Sequence, residues 1–163
     1  MTNSNVNHVD LLAQHEDVRA AVRVTEVTGT RTAFTREGRN VAILLSWDEY
    51  VALAETVRLS GAPGRIERIR EADEAITRTG GVLPDDVAVE NVRVAPGATM
   101  PDDPAARRAL EALAANPIAG APLFDPLRGF WVYRDGRARI VYRVSRDGGM
   151  AGVVLIDLVE DES

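Results

Sequence analysis

The sequence predicts an α+β fold built from two small modules joined by an acidic linker. The first half of the chain shows amphipathic helical periodicity, and the last third consists of short β-like segments separated by glycine turns. Between them, residues 82–103 contain three prolines and five acids. We therefore expect a module at 1–80, a linker with one strand at 81–103, and a second module at 104–163.

The first module should begin with a helix and a β-hairpin. Apolar residues recur at spacings of three and four over 6–27, which favours a helix that ends near Gly29, although a β-branched run inside it leaves a strand open. Two strands are expected at 31–35 and 41–45, because the intervening 36–39 contains a glycine suited to a tight turn.

Two amphipathic helices should follow the hairpin. Ser46, with Glu49 three residues later, is a capping signature for a helix over about 47–60. A second helix, about 65–78, carries acid–arginine pairs at i,i+4 spacing on its outer face. Its apolar stripe must be buried, and we expect it to contact the C-terminal module. The stripe consists of Ile66, Ile69 and Ile76.

The C-terminal module should contain one helix and a meander of strands. Asp103 and Pro104 form a helix start, and Asp135-Gly136 between two β-like runs is a strong hairpin signal. A final apolar run suits an interior strand. Together with the strand in the linker, the expected strands are 87–94, 130–134, 138–145 and 152–159.

Composition excludes several classes of chemistry. All 19 basic residues are arginine and there is no cysteine, so lysine Schiff bases, Walker-type phosphate loops, disulfides and thiolate metal sites are ruled out. His8 and His15 have no evident third metal ligand beyond Asp10 or Glu16, so we expect no metal and no cofactor. No apolar run approaches the ~20 residues of a membrane span and the N-terminus is unlike a signal peptide, which predicts a cytoplasmic protein without membrane contact.

The net charge of −6 is unevenly distributed along the chain. Residues 81–105 contain one arginine and five acids, whereas residues 116–146 contain six arginines and two acids. An acidic segment therefore precedes a basic one. This pattern favours electrostatic pairing between the two, within one chain or between chains.

The hairpin and the helix after it, Thr35–Tyr50, resemble the Phd/YefM antitoxin family. The shared pattern is a strand, an arginine–glycine turn, an apolar strand and a helix beginning Ser-x-Asp/Glu-Glu-Tyr, and the similarity continues to about residue 80. Members of that family are dimers that bind operator DNA and neutralise a toxin with their C-terminal segment. The resemblance implies a dimerising DNA-binding module, although the same arginines could be ordinary solvated side chains. The candidate DNA contacts are Arg19, Arg23, Arg31, Arg36 and Arg39.

Residues 110–158 resemble the RelE/ParE toxin family, the partner of such an antitoxin. The similarity rests on Asn116-Pro117, a Leu-Arg-Gly turn, Trp131 and an arginine-rich hairpin ending at Tyr142. It implies a small antiparallel sheet with one or two helices. The chain departs from the family in its acidic C-terminus, which lacks the usual Arg and Tyr. If the module cuts RNA, the candidate catalytic residues are Arg134, Arg139 and Tyr142, with Tyr142 on the strand face opposite Arg139 and Arg143.

These resemblances predict a fused type II toxin–antitoxin-like protein. We expect a DNA-binding autorepressor that carries a neutralised or inactive toxin-like module, in cis or swapped between chains, with operator DNA and a second copy of the chain as partners. Two alternatives remain open: a latent RelE-like ribonuclease inhibited in cis, and a binding module that titrates a separately encoded toxin or antitoxin. The incomplete set of catalytic residues argues against an enzyme.

Overall fold

The computed structural model describes residues 15–84, 90–98 and 101–159. By its internal contacts the chain divides into two compact units, Met1–Tyr50 and Val51–Ser163. The sequence-based division near residue 80 thus differs from the division by contacts. The two helices that the sequence predicts at about 47–60 and 65–78, and assigns to the first module, lie largely within Val51–Ser163. That unit contains the five-stranded sheet.

The first unit contains a helix and a β-hairpin. Helix α1 spans Glu16–Thr28 and ends at Gly29, whose backbone is left-handed (φ 66°) and whose N–H donates to the Thr25 carbonyl. The strands β1 (Thr32–Arg36) and β2 (Arg39–Leu44) pair antiparallel around Glu37 and Gly38, both of which have positive φ. The part of the predicted first helix at 6–14, including His8, lies outside the described residues.

Three further helices follow, and two of them, α2 and α4, begin at the capping signals of the sequence. Helix α2 spans Trp47–Gly61, and the Ser46 hydroxyl accepts a hydrogen bond from the Glu49 N–H at 3.2 Å. Helix α3 spans Arg65–Thr79. Helix α4 spans Pro104–Ala115, with the Asp103 carboxylate accepting from the Ala105 N–H at 2.8 Å.

The second unit contains a five-stranded mixed sheet, which corrects the expectation of a purely antiparallel one. The strand order is β3-β7-β6-β5-β4, and β3 runs parallel to β7 because α4 and the intervening strands carry the chain across the sheet between them. Strand β4 is a two-residue pairing without a periodic signal. Of the predicted linker strand 87–94, residues 87–89 lie outside the described residues, and within 90–94 only Val92–Val94 forms a strand. The strands are β3 (Val92–Val94), β4 (Ala121–Pro122), β5 (Trp131–Asp135), β6 (Ala138–Val144) and β7 (Ala151–Leu158).

Helices cover both faces of this sheet, so β6 alternates between two apolar clusters. Ile140 and Tyr142 pack in the cluster that includes α4, whereas Val141 packs in the cluster that includes α2 and α3. The register with β7 shifts between Val141 and Tyr142, where Val154 is the extra residue of a β-bulge. The face under α2 and α3 is the one that carries the arginines of β6.

Candidate functional site

The site begins with two arginines of β6 that lie beneath α2 and α3. Arg139 is only 6% exposed, and its Nε lies 3.3 Å from Oε1 of Glu55 on α2, which is 5% exposed. Arg143 is more exposed, and its Nη1 lies 3.1 Å from Oδ2 of Asp73 on α3. The Arg143 guanidinium also lies 5.0 Å from the centre of the Phe130 ring. Both helices therefore place a carboxylate against an arginine of the sheet.

Asp157 on β7 completes the charged contacts of this interface. Its carboxylate oxygen Oδ2 lies 3.3 Å from both terminal nitrogens of Arg58 on α2 and 2.5 Å from Nη1 of Arg65 on α3. Arg58 also donates from Nε to Glu55 at 2.8 Å. Asp157 and Arg139 are directly opposite each other on β7 and β6. One acid of the sheet thus holds an arginine from each helix.

Burial shifts the pKa of two of the paired groups, Arg139 and Asp73. It lowers the pKa of Arg139, with Arg134 and Arg58 acting in the same direction and Glu55 opposing them. A guanidinium nevertheless remains charged at any physiological pH. Burial also raises the pKa of the Asp73 carboxyl, which the attraction of Arg143 counteracts. Arg139 and Glu55 are taken out of water, so each requires an opposite charge nearby.

The predicted isoleucine stripe lies in the apolar part of the same interface. Ile69 is 1% exposed in the cluster with Leu59 and Val154, and Ile66 and Ile76 pack against that cluster. Thr56 connects α2 to the chain before β5, because its hydroxyl accepts from the Phe124 N–H at 3.1 Å and donates to the Ala52 carbonyl at 2.7 Å.

The three candidate catalytic residues do not converge. Arg134 is exposed on β5, and Arg139 is covered by α2. Tyr142 is fully buried on the α4 face, where its hydroxyl oxygen accepts from the Gly120 N–H at 3.1 Å. Burial raises the pKa of Tyr142 to about 12. In this conformation the phenol has no open path to a nucleic-acid backbone and does not ionise near neutral pH.

The five candidate DNA contacts fall into two groups. Arg19 pairs with Glu16, and Arg31 donates from Nε to Oε1 of Glu49 at 2.6 Å, which raises the pKa of Arg31 through this hydrogen bond. The other three side chains are exposed and form no ion pair within the described part of the chain. These are Arg23 on α1 and the cross-strand neighbours Arg36 and Arg39 at the tip of the hairpin.

The first unit also exposes an unusual amount of apolar surface. Both strands of its hairpin are largely open to solvent, including Phe34, Val41 and Ile43. A mainly apolar cleft of about 410 Å³ lies beside them. The cleft is lined by residues of α1, β2 and the start of α2, among them Val22, Ile43, Leu45, Trp47 and Tyr50. A surface with this many exposed apolar side chains indicates an interaction site.

Sequence reasoning missed the charged partners of the sheet arginines. Glu55 was detectable, because it lies three residues after Ala52 and four before Leu59 and therefore falls on the buried stripe of α2. A charge on such a stripe requires a partner. Which residues pair with the sheet arginines depends on how the helices are positioned along the sheet. Periodicity in the sequence does not predict that position. The residues missed are Glu55, Arg58, Arg65, Asp73 and Asp157.

The described residues contain no group of three or more carboxylate, histidine or cysteine side chains arranged to hold a metal ion. No helix in the same parts of the chain is long and apolar enough to cross a membrane.

Comparison with known proteins shows a weak similarity to a solved structure. No family model matches the chain, and no curated protein matches it. Among solved structures, the chain is similar to one chain of the toxin–antitoxin complex RelBE2 from Mycobacterium tuberculosis. The two are 24% identical with a TM-score of 0.34, and the match covers 47% of this chain and 100% of that chain. A TM-score of this size does not establish a shared fold.

Proposed function

We propose that this protein is a fused toxin–antitoxin-related regulator. In this proposal α2 and α3 neutralise a toxin-like sheet within the same chain, and the N-terminal unit binds operator DNA. The observation that carries the proposal is the position of α2 and α3 on the sheet face that bears Arg139 and Arg143. The helix pair on this face buries Arg139 away from any nucleic-acid ligand and holds Arg143 in an ion pair with Asp73.

Covalent linkage makes such neutralisation efficient. A helix pair tethered to its target binds intramolecularly, at an effective concentration in the millimolar range for short linkers. Few molecules would then have the toxin-like sheet uncovered by the helices. We therefore do not assign release of an active toxin as the function. A regulatory function of the N-terminal unit is consistent with a permanently covered sheet.

The surface of the N-terminal unit fits a dimer on DNA. Arg36 and Arg39 project from the hairpin tip, and a two-fold axis would present the pair to each of two half-sites. The exposed apolar residues of the hairpin, including Phe34 and Ile43, supply a surface for the second copy. Phosphate contacts by these arginines would make binding strongly dependent on salt.

Fluorescence anisotropy tests the DNA-binding part of the proposal. Full-length protein is titrated onto a duplex from its own upstream region and onto scrambled DNA over a salt series. We expect selective binding that Arg36→Ala and Arg39→Ala each weaken, with a shallower salt slope. Arg146→Ala is the matched control, since Arg146 is an exposed arginine on the turn between β6 and β7. Equal binding to both duplexes at low salt would contradict the proposal.

A latent ribonuclease is the second candidate function. The observation that favours it is that α2 buries Arg139 and α3 pairs with Arg143 through Asp73 on the same sheet face. Displacement of the helices would therefore free two cations for a phosphate. The full-length variant Glu55→Arg/Asp73→Arg should weaken this cover and cleave RNA if the candidate is correct. Adding Arg139→Ala should then abolish cleavage. A folded variant that leaves RNA intact would contradict the latent-enzyme proposal.

A further inference from the structure

The charges of α2 and of the sheet beneath it are arranged in matching order. On α2, Glu55 and Arg58 lie one helical turn apart, and on the sheet Arg139 and Asp157 lie directly opposite each other on neighbouring strands. Glu55 faces Arg139 at 3.3 Å and Arg58 faces Asp157 at 3.3 Å. The helix thus presents a carboxylate and then an arginine to an arginine and then a carboxylate on the sheet, so that opposite charges meet at both positions.

Two further contacts connect these four groups. Glu55 and Arg58 are themselves linked at 2.8 Å along the helix, and Arg65 at the start of α3 adds a second cation to Asp157 at 2.5 Å. We call these five residues, Glu55, Arg58, Arg65, Arg139 and Asp157, the charge cluster. Its centre is deeply buried, so a mismatched charge there could not be relieved by water.

We infer that the charge cluster determines which helix the sheet accepts. If α2 were reversed in direction, Arg58 would approach Arg139 and Glu55 would approach Asp157. A shift by one turn would produce one of these two like-charge contacts, depending on its direction. Like charges would then meet in a desolvated interface, which strongly disfavours that arrangement. The apolar contacts around the cluster are less directional and would tolerate such a shift far better.

This inference specifies the chemistry of the occupant. The sheet fits an amphipathic helix with a carboxylate on its buried stripe and an arginine three residues later at the edge of that stripe. A second helix that begins with a basic residue follows it. The occupant is this chain's own α2–α3 segment, and the inference rests on the proposal that this segment neutralises the sheet. Helix pairs with equal apolar character but without this order of charges are rejected.

Charge inversion in the full-length protein provides the test. One variant inverts the helix side (Glu55→Arg/Arg58→Glu/Arg65→Glu), one inverts the sheet side (Arg139→Glu/Asp157→Arg), and one combines all five changes. We expect both partial inversions to lower the denaturant midpoint and the combined variant to regain most of the loss. If the combined variant is no more stable than the partial ones, the inference is wrong.

Peptide binding measures selection directly. Fluorescein-labelled peptides of residues 51–80, with the native or the inverted helix charges, are titrated onto the two partial variants. The helix-inverted protein should bind the native peptide at least about tenfold more tightly than the inverted peptide, and the sheet-inverted protein should show the opposite preference. Equal binding of both peptides, or no binding of either, would contradict the inference.

Neutral substitutions cover the case in which an inverted chain does not fold. The variants Glu55→Gln, Arg139→Gln and their combination form a double-mutant cycle in the full-length protein. We expect the unfolding constant of the double variant to be at least about tenfold smaller than the two single effects predict together. A cycle without coupling would contradict the inference. Operator binding is measured separately by anisotropy, so failure of the charge cluster and failure of the proposed regulator give different results.

Discussion

Tyr142 and Gly120 are in direct contact beside β5. The Tyr142 hydroxyl oxygen accepts a hydrogen bond from the Gly120 N–H at 3.1 Å, and a Cβ atom on residue 120 would lie 2.6 Å from that oxygen. Tyr142, a candidate catalytic residue in the sequence analysis, therefore holds the chain that leads into β4. Its burial and this hydrogen bond indicate a structural role, which can be tested from both sides of the contact.

The first prediction concerns the lack of space at Gly120. In Gly120→Ala the new Cβ would also lie 2.4 Å from the Val132 carbonyl oxygen, so backbone must move. We expect the free energy of unfolding to fall by about 1–3 kcal/mol, measured by chemical denaturation. Gly61→Ala is the control, because nothing lies within 4 Å of a Cβ there, and it should change stability little. Equal stability of the two variants would contradict this prediction.

The second prediction concerns stability at alkaline pH. Below about pH 10 a tyrosine is protonated in both the folded and the unfolded chain. Above that pH the unfolded chain ionises it, whereas burial in the folded protein raises the pKa of Tyr142 to about 12. The free energy of unfolding should therefore decline between pH 10 and 12, by about 2–3 kcal/mol from this residue.

Denaturation of Tyr142→Phe against pH checks this prediction. The variant should lose about 1 kcal/mol at neutral pH, because the Gly120 N–H loses its acceptor. It should then show a shallower alkaline decline than the native protein. Tyr133→Phe keeps Tyr142 and should keep the steeper decline. An alkaline decline that is identical in native protein and Tyr142→Phe would show that Tyr142 does not titrate as proposed.

Local signals in the sequence accounted for most elements of this fold. The capping residues Ser46 and Asp103 begin helices in the structure, and the Asp135-Gly136 turn joins β5 to β6. These features depend on contacts between near neighbours in the chain, so the local sequence pattern predicts them. The parallel pairing of β3 with β7 depends on residues far apart in sequence, and short-range periodicity does not predict it.

The candidate site was less predictable, for the same physical reason. Alternation along β6 indicates that Arg139 and Arg143 share a face, but it does not indicate what covers that face. The answer depends on the register of α2 and α3, which brings Glu55 and Asp73 to these arginines. Opposite charges far apart in sequence can be paired in many ways, and only the packed structure selects one.

The third prediction concerns the buried pair of Glu55 and Arg139. Glu55→Ala leaves Arg139 buried without its carboxylate, so the free energy of unfolding should fall by about 3–5 kcal/mol. The double variant Glu55→Met/Arg139→Met removes both charges and should recover much of that loss. Chemical denaturation measures both, with Arg146→Ala as an exposed control expected within about 0.5 kcal/mol of the native protein. A mild effect of Glu55→Ala would mean that the pair is not desolvated in solution.

The last prediction concerns self-association through the N-terminal unit. Ile43 lies on the exposed hairpin and is 57% exposed in the single chain, and a second copy would bury it. Ile43→Glu places a charge in that interface, so the dissociation constant of the dimer should rise by at least about tenfold. Ile118→Glu is a matched control, because Ile118 is 58% exposed but lies in the turn after α4. Sedimentation equilibrium should give a dimer for the native protein and for Ile118→Glu, and a monomer for Ile43→Glu at micromolar concentration. If Ile43→Glu remains dimeric, the hairpin does not form the dimer interface, and Arg36 and Arg39 would no longer be expected to address two half-sites together.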